Sequence, residues 1–224
     1  MSQWRRARLL IEMLLLYILA PIAVYYFVYI DGVPLLRLLP WALGGLLILL
    51  LFEKNYAWAS AFVRFPHVVD IMMIAGLFII CGGALTIYAA NAFPQNFLTF
   101  PERAPDLWLR VMMLYPAISV TTQEILFRVF YFHRYAPLFG PNTGAAIVAN
   151  AALFAFAHAI LFAYRHSPFH WEAVAISFTG GLIFAYRFSR TRSFWAVALE
   201  HSLYGDLIFT IGLGVFFFTG VSNI

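Results

Sequence analysis

The chain has 224 residues, of which 63% are hydrophobic and 11% charged, whereas a soluble domain has roughly 45–50% apolar and about 25% charged residues. This composition, with 24 Phe, 12 Tyr and 6 Trp, excludes a soluble enzyme, a disordered regulator and a collagen-like chain, and it indicates a polytopic membrane protein. The formal net charge of +4 is typical of a membrane protein whose basic residues set its orientation, and it does not indicate nucleic-acid binding. The single cysteine, Cys81, excludes a disulfide framework.

Seven apolar segments are long enough, or nearly so, to cross a bilayer, which requires about 20 residues per helix. In chain order they are Leu9–Ile30, Leu35–Phe52, Val68–Phe93, Leu107–Tyr131, Thr143–Tyr164, Trp171–Phe188 and Phe194–Gly220. We therefore predict an all-α membrane bundle of about seven transmembrane helices, which forms a single domain over residues 1–224. Residues 1–106 are expected to supply accessory helices, and residues 107–220 carry the motifs described below.

The basic residues predict the orientation of this bundle. The apolar run after Arg8 is too long for a signal peptide, so we expect a retained first helix and a cytoplasmic N-terminus. Nine basic residues then lie on cytoplasmic segments and four on the opposite side, as the positive-inside rule requires. The nine are Arg5, Arg6, Arg8, Lys54, Arg64, Arg134, Arg187, Arg190 and Arg192, and the four are Arg37, Arg103, Arg110 and Arg165. The loop Pro94–Asp106 would be external, and its three prolines are expected to keep it from being helical.

Charged residues near the middle of the predicted spans are more informative than those near the ends. Residues such as Glu12, one turn after Arg8, are expected to be interfacial anchors or local pairs. Glu124 and Arg128, in contrast, lie deep in the fourth segment at i and i+4, which places them on one helix face with Glu first, the favourable order. They are either part of a functional site or an ion pair that only allows the helix to insert.

A histidine follows on the next helix. The sequence Phe139–Asn142, which contains Gly and Pro, predicts a turn between the two helices. Glu124 is 17 residues before position 141 and His158 is 17 residues after it, so an antiparallel hairpin places both at one depth. His158 is then either a functional partner of Glu124 or a satisfied core histidine. Pro116, two turns before Glu124, either kinks the helix above the site or is an ordinary membrane-helix proline.

The last segment carries a second histidine, His201, among polar residues. Because adjacent helix positions diverge by about 100°, Glu200 is expected to face away from a site at His201 and to snorkel or pack against another helix. Gly205 could allow close helix packing or break the helix locally. Further polar groups lie nearby at Ser202, Tyr204 and Asp206, and the alternative to a site is a polar seam between helices.

These residue types are suited to attack of water on an amide. A carboxylate and an imidazole at one depth can share a water molecule and act on it as a general base, and a second imidazole can stabilise an oxyanion. The sequence lacks Gly-x-Ser-x-Gly, the phosphate-binding loops and His-Glu-x-x-His. No cofactor is therefore expected, although Glu124, His158 and His201 could hold a zinc ion as three protein ligands.

Three motifs in this order resemble the CAAX protease and bacteriocin-processing (Abi) family of intramembrane endopeptidases, which includes the type II CAAX prenyl endopeptidases. They are Gln123-Glu124-x-x-x-Arg128, Phe154-x-x-x-His158 and His201, and the resemblance spans roughly Leu107 to Gly220. It implies a helix bundle with a conical cavity open to the cytoplasm and peptide-bond hydrolysis without an obligatory metal. It also implies that Glu124 and His158 handle the water, that His201 stabilises the oxyanion and that Arg128 fixes the helix of Glu124.

The sequence departs from the family pattern at two positions. The pattern begins Glu-Glu, and its first Glu is credited with activating water, whereas this chain has Gln123. The pattern also has Asn or Asp four residues after the last His, whereas this chain has Gly205 there. Tyr204 or Asp206 could substitute for that side chain, although a one-residue shift turns it by about 100° on a helix.

Three functions are compatible with these observations. The first is an intramembrane endopeptidase that acts on a membrane-associated protein or peptide. The second is a non-catalytic relative that binds a membrane peptide as an immunity or chaperone-like factor, and the third is a proton-coupled carrier. The expected partners are the substrate and the lipid bilayer, and the expected location is the plasma membrane of a prokaryote, as a multi-pass protein.

Overall fold

The computed structural model describes residues 2–33, 35–52, 59–163 and 169–217, and every regular element in these ranges is helical. We number the helices α1 (Gln3–Tyr29), α2 (Leu35–Phe52), α3 (Ala59–Val63), α4 (Val68–Ala92), α5 (Thr99–Arg103), α6 (residues 105–134), α7 (Thr143–Ala163), α8 (Trp171–Thr191) and α9 (Phe194–Thr210). The predicted all-α membrane architecture is confirmed. Three helices, α1, α4 and α7, are long and apolar enough to cross a membrane, and α2 has a shorter apolar part, Arg37–Ile48. The count of seven spans is not confirmed.

Parts of the sequence-based prediction lie outside these ranges. They are Lys54, Arg165, the predicted end of the fifth segment at Tyr164 and the end of the last segment at residues 218–220. The turn between α6 and α7 is confirmed, because α6 ends at Arg134, a 3₁₀ turn follows at Ala136–Phe139 and the Asn142 side chain caps the start of α7.

Helix α6 carries the first motif and changes its winding twice. It contains π-helical segments at Tyr115–Val120 and Ile125–Phe130, which enclose the α-helical turn Thr121–Glu124. Pro116, which has no amide N–H, lies in the first π segment. In α7, the α-helix ends at His158 and continues as a π segment, Ala159–Ala163. Such π segments are rare and are frequent at functional sites.

The prediction that the prolines keep the loop Pro94–Asp106 from being helical was wrong. A short helix, α5, contains Pro101 in its first turn, and Pro105 is the first residue of α6. The first amide groups of a helix have no intrahelical acceptor, so a proline in the first turn loses no hydrogen bond there. These prolines therefore start helices instead of preventing them.

Helix α1 is held against α6 by polar contacts at its start and its middle. The Tyr17 ring is fully buried, and its hydroxyl donates to the Leu126 carbonyl at 2.7 Å. Glu12 accepts two hydrogen bonds from the Arg134 guanidinium, at 2.7 and 2.8 Å. Glu12 therefore pairs with a residue far along the chain, and the expected anchor or local pair with Arg8 is not its main contact.

Two sets of contacts define the two ends of the bundle. We call one end the arginine-rich end. There the start of α1 contacts the end of α6 through Glu12 and Arg134. Trp195 Nε1 also donates to the Phe62 carbonyl at this end, at 2.7 Å. At the other end, the arginine-poor end, Trp108 Nε1 donates to Thr210 Oγ1 at 3.1 Å. The Tyr29 hydroxyl donates to the Leu161 carbonyl at this same end.

Candidate active site

A buried cluster of charged and polar side chains joins α6 to α9. His201 Nδ1 lies 2.7 Å from Glu124 Oε1, and Arg128 Nε lies 3.4 Å from Glu124 Oε2. The side chains of Glu124 and Arg128 are fully buried, and His201 is 5% exposed. The Arg128 guanidinium also lies over the Phe154 ring, 4.6 Å from its centroid, which is within the range of a cation–π contact. Glu124 Oε1 is thus hydrogen-bonded to His201, whereas Oε2 faces the Arg128 guanidinium without a hydrogen bond among the described residues.

The other nitrogen of His201 contacts a residue that the sequence analysis did not select. The Tyr115 hydroxyl lies 3.1 Å from His201 Nε2. Because the Glu124 carboxylate is an acceptor, His201 Nδ1 is the donor in that bond, and Nε2 of the neutral ring accepts from Tyr115. Glu124, His201 and Tyr115 therefore form one continuous chain of hydrogen bonds.

Gly205 makes room for the Tyr115 ring. A Cβ atom at Gly205 would lie 2.1 Å from Tyr115 Cε1 and 2.6 Å from its hydroxyl oxygen, which is far inside van der Waals contact. Helix α9 continues through Gly205 and ends at Thr210, and Gly212 follows with φ +90°. Gly205 is therefore a close-packing position, and the helix ends further along the chain.

A cavity of about 690 Å³ lies next to this cluster. Apolar side chains form most of its wall, and its polar wall includes Arg110, Tyr115, Ser119, Gln123, His158, Ser177, Thr179, His201 and Tyr204. Of the predicted site residues, Gln123, Phe154, His158, His201 and Tyr204 line the cavity, whereas Glu124, Arg128 and Asp206 are not among its lining residues. In the described part of the chain, no aspartate or glutamate lines it.

His158 reaches the cavity from α7 with a defined hydrogen-bonding pattern. Its Nδ1 lies 2.8 Å from the Phe154 carbonyl, and because a carbonyl only accepts, Nδ1 carries the proton of the neutral ring. Nε2 then has a free lone pair. Phe154 packs against both histidines, with ring centroids 4.4 Å from His158 and 5.8 Å from His201. No hydrogen bond joins Glu124 to His158, and their sharing of a water molecule stays a prediction.

Gln123 presents an amide where the family pattern has its first carboxylate. Its Nε2 donates to Ser119 Oγ at 2.8 Å, and its buried Oε1 has no hydrogen-bond partner among the described residues. Both residues line the cavity. The one-residue difference between Gln123 and Glu124 therefore separates a side chain on the cavity wall from one in the core behind it.

The remaining predicted residues have structural surroundings. Glu200 accepts two hydrogen bonds from Arg187 of α8, each of 3.0 Å, so the prediction that it packs against another helix is confirmed. In the ranges that the structure covers, no three His, Cys, Asp or Glu side chains lie close enough together to hold a metal ion. Tyr115 was missed because no spacing rule links it to His201. The only signal in the sequence was Gly205, which has no side chain at the position where the family pattern has Asn or Asp.

Comparison with known families is consistent with this geometry. No curated protein and no solved structure matches the chain. Residues 105–205 match the family model described as type II CAAX prenyl endopeptidase Rce1-like, and this stretch begins at the first residue of α6 and contains all three motifs. Rce1-like proteins are generally proteases. The match of residues 105–205 to the Rce1-like family model therefore agrees with the family that the motifs resemble.

Proposed function

We propose that the protein is an intramembrane endopeptidase that hydrolyses a peptide bond of a membrane-associated protein or peptide inside the cavity. The observation that carries this proposal is that His158 and His201, from different helices of the Rce1-like stretch, both line one largely apolar cavity. An apolar wall suits a membrane peptide, and two imidazoles supply the proton transfers that amide hydrolysis needs. We also propose that the protein is a multi-pass protein of a prokaryotic plasma membrane.

In this proposal His158 acts on the water. Its Nε2 lone pair takes a proton from a water molecule, and the water oxygen attacks the carbonyl carbon of the substrate. The proton then passes from His158 to the leaving nitrogen as the C–N bond breaks, which regenerates the neutral ring. Proton transfer by a positioned side chain contributes roughly 10²–10⁴-fold to rate. No step of this sequence requires a metal ion.

His201 and Tyr115 act on the oxyanion. The Tyr115 hydroxyl donates to Nε2 of the neutral His201 ring in the resting site, and in the transition state it turns its hydrogen towards the developing negative charge. Glu124, which has no exposed surface, acts through His201 as a positioning residue, because its Oε1 accepts the hydrogen bond from His201 Nδ1. Arg128, at 3.4 Å, keeps the Glu124 carboxylate in place. This assignment gives Glu124 a different role from the water-activating one that the resemblance implies.

Cleavage of peptides in proteoliposomes tests the proposal. Purified protein is incubated with a mixture of prenylated and unprenylated membrane peptides, and products are identified by mass spectrometry. We expect His158→Ala and His201→Ala to lose roughly 100-fold or more of the cleavage rate. The matched control is His67→Ala, because His67 is exposed at the start of α4, and it should cleave like the wild type. Equal cleavage by all four proteins would contradict the proposal.

A specific observation favours a second candidate, a non-catalytic protein that binds a membrane peptide. The described lining of the cavity contains no carboxylate, and Gln123 cannot act as a base. This candidate predicts saturable binding of a fluorescent membrane peptide without cleavage by the wild type. It also predicts that Phe184→Trp, which adds bulk to the cavity wall, weakens that binding, whereas His158→Gln leaves it unchanged. Cleavage by the wild type that depends on His158 would exclude the second candidate.

A further inference from the structure

The cavity occupies only one half of the bundle along its axis. Its α6 residues run from Leu107 to Gln123 and stop there, although α6 continues for eleven more residues. Its α9 residues begin at His201 and continue towards the end of that helix. Since α6 and α9 contact each other near Trp108 and Thr210, these two stretches lie at the arginine-poor end. The cavity therefore extends from the middle of the bundle towards that end.

Two groups of lining residues differ in exposure. At the inner end, the side chains of Phe154, Phe184 and His201 are 2%, 3% and 5% exposed. Near the start of α6, Leu107 is 36% exposed and Arg110 is also exposed. The exposed lining residues at the start of α6 therefore place a mouth of the cavity at the arginine-poor end, and His201 lies at its inner end.

Among the described residues, a buried layer lies between the inner end of the cavity and the arginine-rich end. Glu124 and Arg128 are fully buried there, and the bidentate pair of Arg187 and Glu200 lies beyond them with at most 5% exposure. Phe188 is also fully buried in this half. None of the described residues of the arginine-rich end, in α3 or in the segment from the end of α6 to the start of α7, lines the cavity.

We propose that the cavity is loaded from the non-cytoplasmic side of the membrane. Of the basic residues that the structure describes outside the middle of the spans, eight lie towards the arginine-rich end and three towards the other, and loops rich in Arg and Lys stay in the cytoplasm. The mouth at Leu107 and Arg110 then faces away from the cytoplasm. This inference rests on the proposed function and deepens it, because it makes the substrate a peptide segment exposed outside the cytoplasm or in the outer leaflet. The family resemblance implies the opposite opening.

Labelling of single cysteines tests the direction of loading independently of cleavage. In a Cys81→Ala background, three variants are expressed in cells: Leu107→Cys at the mouth, Ser119→Cys on the inner wall and Thr143→Cys at the exposed start of α7, at the arginine-rich end. Intact cells and inverted vesicles are treated with a small membrane-impermeant maleimide. A permeant maleimide after detergent lysis shows that each thiol is present and reactive.

We expect labelling of Leu107→Cys and Ser119→Cys in intact cells, and labelling of Thr143→Cys only in inverted vesicles. Labelling of Ser119→Cys only from the vesicle side would overturn the proposal. So would labelling of Ser119→Cys from neither side, because the cavity would then not be open to water. If the expected labelling is observed but no cleavage is found, the cavity opens to the outside and the proposed hydrolase function is wrong. The labelling and cleavage assays therefore test the two proposals separately.

Discussion

The aromatic ring of Tyr115 fills the space beside His201 that a side chain at Gly205 would occupy. The family pattern places Asn or Asp four residues after the last histidine, on the same helix. Here the group that contacts His201 Nε2 is a hydroxyl from α6, at 3.1 Å. The polar group next to this imidazole therefore comes from α6, and Gly205 leaves the space that the Tyr115 ring occupies.

We expect Gly205→Ala to destabilise the protein, because the new methyl group would lie 2.1 Å from Tyr115 Cε1. Overpacking of a tight core typically costs about 1–3 kcal/mol. Gly83→Ala in α4 is the matched control, since a Cβ at Gly83 has no atom within 4 Å. The measurement is the free energy of unfolding in mild detergent. A fall of the same size in both variants would show that helix composition, and not contact with Tyr115, is responsible.

Tyr115→Phe should keep the packing and remove the hydroxyl. If Tyr115 donates to the oxyanion, the cleavage rate should fall by roughly 10²–10³-fold, as it does when one oxyanion donor is removed. Substrate affinity should change little, because the donor acts mainly in the transition state. Tyr26→Phe, at a 60% exposed position, is the control. A Tyr115→Phe enzyme with wild-type turnover would remove the hydroxyl from the mechanism.

Introduction of a carboxylate at Gln123 should increase cleavage. Gln123→Glu places a potential general base on the cavity wall beside Ser119 without a change in side-chain size, and such a base contributes roughly 10²–10⁴-fold. Gln95→Glu, at an exposed position between α4 and α5, controls for the added negative charge. Initial rates are measured with one peptide for all three proteins. Unchanged rates with intact peptide binding would show that position 123 does not contact the water.

Arg187 and Glu200 form a buried ion pair whose loss should destabilise the bundle. Removal of one partner of such a pair costs about 3–5 kcal/mol, because the other charge stays buried without a counter-charge. We expect this loss for Arg187→Ala, whereas the exposed Arg190 gives a matched control, Arg190→Ala. Thermal unfolding in detergent measures both. The double variant R187M/E200L should recover much of the stability, and failure to recover would contradict the ion-pair explanation.

The sequence predicted the membrane architecture, the turn at Phe139–Asn142 and the start of α7, since apolar length and turn residues act locally. It also placed Glu124 and Arg128 on one face of α6, which their 3.4 Å ion pair confirms, but it did not predict that Gln123 and not Glu124 lines the cavity. Two π segments alter the angle per residue around Glu124, so an argument based on 3.6 residues per turn loses its register there. The Gln123 side chain therefore lines the cavity, and the Glu124 side chain lies in the core. The contact of Tyr115 with His201 depends on helix packing across 86 positions, which no local pattern encodes.

Phe154 has no chemistry of its own, yet its ring touches both imidazoles and lies beneath the guanidinium of Arg128. The ring lies between the two histidines to which we assign proton transfer and therefore helps to set their spacing. A smaller residue at this position would remove that spacer and leave the histidines free to approach each other. In the proposed mechanism, the size of the side chain at position 154 would therefore limit the space available to the peptide bond that is cleaved.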